Sequence, residues 1–511
     1  MSKVKKTLGM AIVLCLVFSF TLVGCATKNE EQQASNSSPA ANEDSATSSA
    51  LPEVKLTWYF PSFNGDAKGE ETAVFDEVNK ILKEKINTTV DFKMINTGEY
   101  EEKMKVMMAA SEEFDLAFYS NWFNNFQIAA SKGNLLPLDE LLGKNGPKLQ
   151  SSIPDGFWNA VKLNGKVYAV PNQQFSARST TLNVPQASAD KYGLDVYGID
   201  RNTFKLEDLE PYLEKFKNGE PDKYPIEIRW KELSGYYGME LISGDDVPGA
   251  VYMNDDSLKV FNQFESEEFQ AHLALVNKWV EKGYFKSIEL LSKKDQNLKP
   301  GEVMGAWFAG AWQPGGEALA SQTYGVPMQN TAVSNPVLNN SGILATLTAI
   351  SRTSKNPERA MMVLELLNSD EQLFNLLTFG IEGKDYTKKT GKFIEQNKDS
   401  QYIGIPNWEM ATIFNSYLIE GQPEDVWAQH KQINAEAQTS PAIGFTFDPT
   451  PVKTEVANTS AVIKEYVEGL TYGVLKVDKD YPVFVEKLKK AGSDKVIEEM
   501  QKQIDDWKAS K

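Results

Sequence analysis

Strand-like and helix-like segments alternate along residues 54–119, and this alternation is the feature that most constrains the fold. Residues 54–60 alternate apolar and polar side chains as a strand does, and residues 70–86 place apolar side chains on one helical face. A strand at 89–95, a helix at 99–110 and a strand at 114–119 follow. Strands that alternate with helices predict a parallel sheet with right-handed crossovers, and therefore an α/β fold.

The chain is expected to leave this first unit and to return to it. Asn164-Gly165 predicts a tight turn, and after Pro171 the sequence becomes polar and aromatic. A second α/β unit is predicted at about residues 205–326. Residues 343–350 then have the composition of a buried strand, and the tail after residue 454 is largely helical in pattern.

The N-terminus predicts export. Lys3, Lys5 and Lys6 precede an apolar run at 8–23, which is too short and too abruptly ended to be a good membrane span. The run ends in Leu-Val-Gly-Cys25, which resembles the bacterial lipobox and implies that Cys25 is lipidated, becomes the mature N-terminus and anchors the protein to the extracellular face of the cell membrane. An uncleaved N-terminal helix with an incidental cysteine is the alternative.

The composition narrows the classes of function. A formal net charge of −17 argues against nucleic acid as a partner, because phosphate binding requires basic patches. Residues 26–50 are polar, which predicts a flexible tether. Cys15 lies in the signal peptide that is expected to be removed, so no thiol remains for a metal or a disulfide. The only histidines are His272 and His430. Motifs for nucleotides, for a nucleophilic serine and for zinc proteases are absent, and we expect neither a cofactor nor a metal.

Several segments carry a resemblance to a known family when they are taken in order. Residues 55–60 follow the lipobox and tether, and 115–119 precede an aromatic helix start. Residues 164–171, 324–327 and 349–360 look like passages between lobes, and 380–386, 444–448 and 483–507 look like a separate C-terminal domain. Taken together they resemble the extracellular solute-binding proteins of ABC importers, in particular the LipO/LplA-type sugar-binding lipoproteins of Gram-positive bacteria.

The resemblance implies a two-lobed fold of the type II periplasmic-binding-protein kind, with discontinuous lobes, a hinge of several strands and the ligand between the lobes. It also implies a carbohydrate ligand, ABC permease subunits as partners and a monomer. The predicted boundaries are a signal peptide at 1–24, a lipidated tether at 25–50, lobe one at 51–171 and 342–400, and lobe two at 172–341 and 401–511.

Candidate ligand residues follow from the chemistry of sugars. Sugars present apolar C–H faces and hydroxyl groups, so their sites combine aromatic side chains with amides, acids and arginine. Loops at the carboxyl ends of strands are the expected place for them. On this basis the predicted ligand-binding residues are Trp58, Tyr59, Asn64, Tyr119, Asn121, Trp122, Asn172, Gln173, Arg178, Arg229, Trp230, Trp307 and Trp312.

Several of these residues have an alternative interpretation. Trp58 or Tyr59 faces a core if its strand extends that far, Trp122 could pack as an ordinary helix residue, and Trp230 could pack against Leu233. Arg178 could bind a ligand carboxylate, which would indicate an acidic sugar, or bridge to surface acids, which we favour. We expect Phe445 and Phe447 to be core residues near the hinge.

Three functions remain open from the sequence. The first is an oligosaccharide receptor of an ABC importer, which is not an enzyme. The second is a lipid-anchored glycan-degrading enzyme, because seventy Asp and Glu residues leave many candidates for a catalytic pair of carboxylates. The third keeps the receptor architecture with a peptide or another small solute as ligand.

Overall fold

The predicted strands at the start of the chain form one sheet in the computed structural model, which describes residues 51–285 and 304–510. Thr88–Asn96, Val54–Ser62 and Leu116–Tyr119 are parallel neighbours. Leu347–Ile350 pairs antiparallel with Leu116–Tyr119, and Val170–Pro171 completes this five-stranded sheet. The predicted α/β class is confirmed, and the antiparallel strand is the one through which the chain returns to this lobe.

The other strands are mostly short. They are Lys162–Leu163, Lys166–Val167, Ala177–Arg178, Thr181–Pro185, Met239–Leu241, Ala250–Tyr252, Trp307–Ala309, Met328–Ala332, Val337–Leu338, Tyr386–Lys388, Phe393–Gln396, Leu418–Ile419 and Gln438–Thr439. The helices of the described residues are Glu71–Ile86, Thr97–Ala110, Phe126–Ser131, Asp139–Asn145, Pro147–Ser152, Asp155–Ala160, Gln186–Tyr192, Glu210–Gly219, Glu267–Lys282, Gly316–Tyr324, Asn340–Ile343, Pro357–Ser369, Glu371–Phe379, Val426–Glu436, Lys453–Thr471, Val477–Ala491 and Ser493–Ala509.

The second lobe has its own sheet and core. Thr181–Pro185 lies between Trp307–Ala309 and Met328–Ala332, and all three pair antiparallel. The amphipathic helix Glu267–Lys282 packs the fully buried Trp279 into this core. Two separate hydrophobic cores, one behind each sheet, give the protein its two lobes.

Three short strands form a hinge sheet between these cores. Ala177–Arg178 pairs antiparallel with Val337–Leu338, which pairs parallel with Gln438–Thr439. The chain therefore passes between the lobes three times within the described residues, which confirms the predicted multi-strand hinge. The third passage comes later than the predicted boundary at residue 401, because the apolar side chains of Ile405 and Met410 pack in the core of the first lobe.

The C-terminal helices pack on the second lobe. Lys453–Thr471, Val477–Ala491 and Ser493–Ala509 form two further cores with it, through contacts such as that of Phe264 with Phe484, whose ring centroids are 5.8 Å apart. The helical tail agrees with the pattern of the sequence. Among residues 51–285 and 304–510, no helix is long and apolar enough to cross a membrane. Cys25, the signal peptide and the tether lie outside the described residues.

Candidate functional site

A cleft of about 810 Å³ lies between the lobes beside the hinge sheet. Its volume falls in the range of about 300–1,000 Å³ that is usual for ligand sites. Both lobes and the hinge line it, with Asn121, Trp122, Asn125, Gln127 and Ala345 from the first lobe, Arg178, Ser179, Thr180, Val337, Asn339 and Asn340 from the hinge region, and Lys231, Glu232, Met239, Glu240, Asp245, Asp246, Phe445 and Phe447 from the second lobe. A ligand held there would contact both lobes.

Trp122 is held in place at the carboxyl end of the strand Leu116–Tyr119. The Ser120 hydroxyl accepts hydrogen bonds from the backbone N–H groups of Trp122 (3.2 Å) and Phe123 (2.7 Å), which fixes the turn after the strand. The indole Nε1 of Trp122 donates to the carbonyl of Ala345 at 2.8 Å. The side chain nevertheless remains 55% exposed, so it presents an anchored aromatic surface to the cleft.

Three more rings support Trp122, and we call the four side chains Phe63, Trp122, Phe123 and Trp408 the aromatic platform. Trp122 lies 5.5 Å from Phe63, 5.6 Å from Phe123 and 6.5 Å from Trp408 between ring centroids. Phe63 and Trp408 are 5.0 Å apart. The platform brings together residues that are distant in the sequence, and this packing restrains the orientation of Trp122.

Arg178 lies on a hinge strand, where it pairs with Val337, and lines the cleft. Its guanidinium lies 5.1 Å from the ring centroid of Phe175, and burial lowers its pKa to about 10, so it stays charged at neutral pH. Among the described residues, no carboxylate forms an ion pair with it. The guanidinium therefore keeps donors for ligand oxygens, and the surface ion pair that we favoured from the sequence is not formed with the described acids.

The second-lobe wall carries charged and polar groups beside apolar side chains. Glu240 is buried, its carboxylate accepts hydrogen bonds from the Ser440 hydroxyl and from the backbone N–H of Asn340 (3.2 Å), and burial raises its pKa. Asp246 forms an ion pair with Lys464 at 2.9 Å. These contacts attach the segment from Met239 to Asp246 both to the hinge region and to the C-terminal helices.

Three of the residues predicted from the sequence meet in this cleft, namely Asn121, Trp122 and Arg178. Trp312 and Gln173 lie close to the hinge. The backbone N–H of Trp312 donates to the Ser179 carbonyl at 2.9 Å, and Gln173 forms a β-bridge with Thr412.

Three aromatic predictions on strands and turns are wrong, because these rings are buried in cores and none of them lines the cleft. Trp58 is 1% exposed and stacks on Phe60 at 4.6 Å, Tyr119 is fully buried, and Trp230 is 7% exposed and packs on Phe269 at 4.8 Å. Each ring faces a core because its side of the strand or turn is covered by a helix or a neighbouring strand.

The other predicted residues have partners elsewhere. Tyr59 packs edge-on against Phe114, Trp307 packs against Tyr324, and Arg229 pairs with Glu227. Asn64 donates to the carbonyl of Ile403 at 2.9 Å, and the buried Asn172 donates to the carbonyl of Glu409 at 2.7 Å. These amides join segments of the chain that are far apart in sequence.

The cleft also contains residues that the sequence analysis missed. The polar run Asn339-Asn340-Ser341 directly before a buried strand was a usable signal, and so was Ser243-Gly244-Asp245-Asp246. Phe63 and Trp408 of the aromatic platform had no such signal. Within the described residues, no group of histidine, cysteine or carboxylate side chains could hold a metal ion.

Comparison with known proteins places this geometry among solute-binding proteins. Residues 441–509 match a domain of unknown function, DUF3502. A carbohydrate ABC transporter substrate-binding protein of Streptococcus pneumoniae is 29% identical over 457 residues, which cover 88% of this chain and 90% of the relative.

The similarity extends to solved structures. The crystal structure of the N-glycan transport solute-binding protein NgtS from Streptococcus pneumoniae has a TM-score of 0.79 and 27% identity, and the match covers 89% of this chain and 99% of that chain. The same protein in complex with Man5GlcNAc has a TM-score of 0.70 at 27% identity, with 90% and 99% covered. The resemblance to solute-binding proteins indicated by the sequence is thereby confirmed over most of the chain.

Proposed function

We propose that this chain, a solute-binding protein of the ABC-importer class, captures an oligosaccharide in the cleft between its lobes and delivers it to a membrane permease. The observation that carries the proposal is the anchored and exposed indole of Trp122, which shares one cleft with Arg178, Asn121 and Asn125. An aromatic surface beside several hydrogen-bond donors suits the apolar face and the hydroxyl groups of a sugar.

Closure of the lobes provides the mechanism. A ligand stabilises the closed form only if it makes more favourable contacts there than in the open form. Trp122 belongs to the first lobe and Glu232 to the second, and both line the cleft, so one ligand can contact both lobes. The three-stranded hinge allows the lobes to rotate while each core stays intact.

The ligand class to test first is an oligosaccharide that contains mannose and N-acetylglucosamine. The support is the similarity to NgtS, whose complex with Man5GlcNAc is known at 27% identity to this chain. We further propose that the protein is a monomer, that it binds no nucleic acid, and that a lipid on Cys25 holds it at the extracellular face of the cell membrane.

Titration of tryptophan fluorescence and calorimetry with a glycan panel test the proposal. We expect saturable binding of Man5GlcNAc or a related oligosaccharide without release of product. The panel includes acidic oligosaccharides and short peptides, so preferential peptide binding would favour the alternative receptor. The absence of binding to every neutral and acidic glycan would contradict a sugar ligand.

The anchor has its own test. Metabolic labelling with a fatty acid should mark the wild-type protein, and Cys25→Ala should lose the label. Equal labelling of the C25A variant would contradict lipidation at Cys25.

A further inference from the structure

The segment that matches a domain of unknown function, residues 441–509, is built onto the cleft itself. The chain enters it directly from the hinge strand Gln438–Thr439. At this junction the backbone N–H of Ser440 donates to the carbonyl of Leu338 at 2.8 Å, and its hydroxyl donates to the cleft residue Glu240. The start of the segment is therefore fixed to the hinge and to the second-lobe wall together.

Asn340 holds the next turn of this segment. Its Nδ2 donates to the carbonyl of Ala442 at 2.8 Å, and its Oδ1 accepts from the backbone N–H of Gly444 at 2.9 Å. Asn340 itself lines the cleft. Phe445 and Phe447 follow the turn and line the same cleft, with 5% and 8% of their side chains exposed.

The C-terminal helices lie behind these two rings. Phe445 packs against Trp507 with ring centroids 5.6 Å apart, and both phenylalanines share a core with Met500 and Ile504. On the other side of the wall, Lys464 forms an ion pair with the cleft residue Asp246 at 2.9 Å. The helices thus support an apolar part and a charged part of one wall.

We propose that residues 441–509 are part of the ligand site, in which Phe445 and Phe447 contact the apolar C–H face of a sugar residue and Lys464 positions Asp246. The inference rests on the proposed function and assigns a role to the C-terminal segment. Lys464 is a positioning residue, because it acts through Asp246. An aromatic contact in the second lobe complements Trp122 in the first, so the two lobes enclose apolar faces of the same ligand.

Phe447→Leu tests the contact because it keeps an apolar side chain of similar size. We expect calorimetry with Man5GlcNAc to show about a tenfold weaker affinity, equivalent to about 1.4 kcal/mol. Phe484→Leu is the matched control, because Phe484 is fully buried in the same helical layer and belongs to another core. The control should lower the melting temperature and leave the affinity unchanged.

Lys464→Met tests the positioning role, and Lys464→Arg should restore the affinity. The expected loss is small, about threefold, because the side chains of Lys464 and Asp246 are 68% and 47% exposed, and exposed ion pairs contribute little. Lys487→Met removes the ion pair of Lys487 with Glu465 on the same helices and should have no effect. If the wild type binds the glycan and the F447L variant binds it with the same affinity, the inference is wrong and the proposed function stands. If the wild type binds no glycan, both the proposed function and the inference are wrong.

Discussion

The two walls of the cleft differ in construction. The first-lobe wall is a neutral aromatic surface, in which Trp122 is anchored by the Ala345 carbonyl and supported by three further rings. The second-lobe wall carries Lys231, Glu232 and Asp245, of which Lys231 and Asp245 are exposed. The first lobe thus offers an exposed stacking surface, and the second lobe adds charged groups beside the buried rings of Phe445 and Phe447.

Arg178 connects the two walls from the hinge. Among the described residues it is one of two cations that line the cleft, with Lys231, and its guanidinium lies 5.1 Å from the ring centroid of Phe175. Because it moves little when two lobes rotate about the hinge, we expect it to contact the ligand in both the open and the closed form. Of Trp122, Arg178 and the charged groups of the second lobe, we expect Trp122 to contribute most to the binding free energy.

Removal of the indole should have the largest effect. Trp122→Ala is expected to weaken oligosaccharide binding by about 2 kcal/mol, roughly 30-fold, since aromatic anchors carry much of the binding energy in such sites. Thermal unfolding should change little, because the side chain is 55% exposed. Ile128→Ala alters a side chain on the same lobe that is 53% exposed, and it serves as the control. An affinity equal to wild type in W122A would remove the distinction between the walls.

Arg178→Lys should have the next largest effect on affinity. The substitution keeps the positive charge and loses the planar fork of donors, so we expect about tenfold weaker binding, or ~1.4 kcal/mol. Arg229→Lys is the matched control, because the Arg229 guanidinium pairs with Glu227 and Arg229 is not among the lining residues of the cleft. Calorimetry measures the affinity of both variants. A larger loss of affinity in R229K than in R178K would refute the assignment of Arg178 as a ligand-binding residue.

Glu409, the sequence neighbour of Trp408 in the aromatic platform, should make the stability of the protein depend on pH. Both carboxyl oxygens of Glu409 are buried without a hydrogen-bond partner among the described residues, and burial raises its pKa well above the ordinary value. The folded protein therefore keeps the proton while the unfolded chain loses it above about pH 4.3. The associated stability is present below that pH and is lost as the pH rises toward the folded-state pKa.

Glu409→Gln removes this titration and keeps the shape of the side chain. Melting temperatures measured by circular dichroism at about pH 5 and pH 8 should show that the advantage of E409Q over the wild type grows with pH. A difference that is constant across this range would mean that Glu409 does not titrate differently in the folded and unfolded states.

The smallest effect on affinity is expected from the charged groups of the second-lobe wall. Glu232→Gln should change the affinity for a neutral oligosaccharide by no more than about fivefold, because one solvent-accessible hydrogen bond contributes only about 1 kcal/mol. Asp222→Asn, at an exposed site elsewhere in the second lobe, controls for the change in net charge. A loss in E232Q that exceeds the loss in W122A would reverse the order of the two walls.

Two tryptophans show which features of the site could be predicted from the sequence and which could not. Trp58 and Trp122 are both next to the ends of predicted strands, and both were candidates for the cleft. Trp58 is 1% exposed in the first-lobe core and Trp122 is 55% exposed in the cleft. The strand pattern predicts that neighbouring side chains face opposite sides, but which side is covered depends on the helices and strands that pack there.

Phe445 and Phe447 give the opposite lesson. We expected both to be core residues, with a place near the hinge implied by the family resemblance, and they are buried as expected. Their place in the wall of the cleft could not be predicted, because it depends on hydrogen bonds of Asn340 with residues more than a hundred positions away. No local pattern in the sequence indicates which distant residues Asn340 contacts.

The pattern of the sequence predicted the α/β class and the return of the chain through a buried strand, because periodic burial and strand–helix alternation are local properties. The multi-strand hinge was implied by the resemblance to solute-binding proteins. The sequence also indicated Asn121, Trp122 and Arg178 as ligand residues. Three features were visible only in the tertiary structure. They are the aromatic platform, the absence of an ion pair between Arg178 and the described acids, and the position of residues 441–509 beside the cleft. These features arise where segments distant in sequence meet, as in the bond of Trp122 to the Ala345 carbonyl 223 residues away.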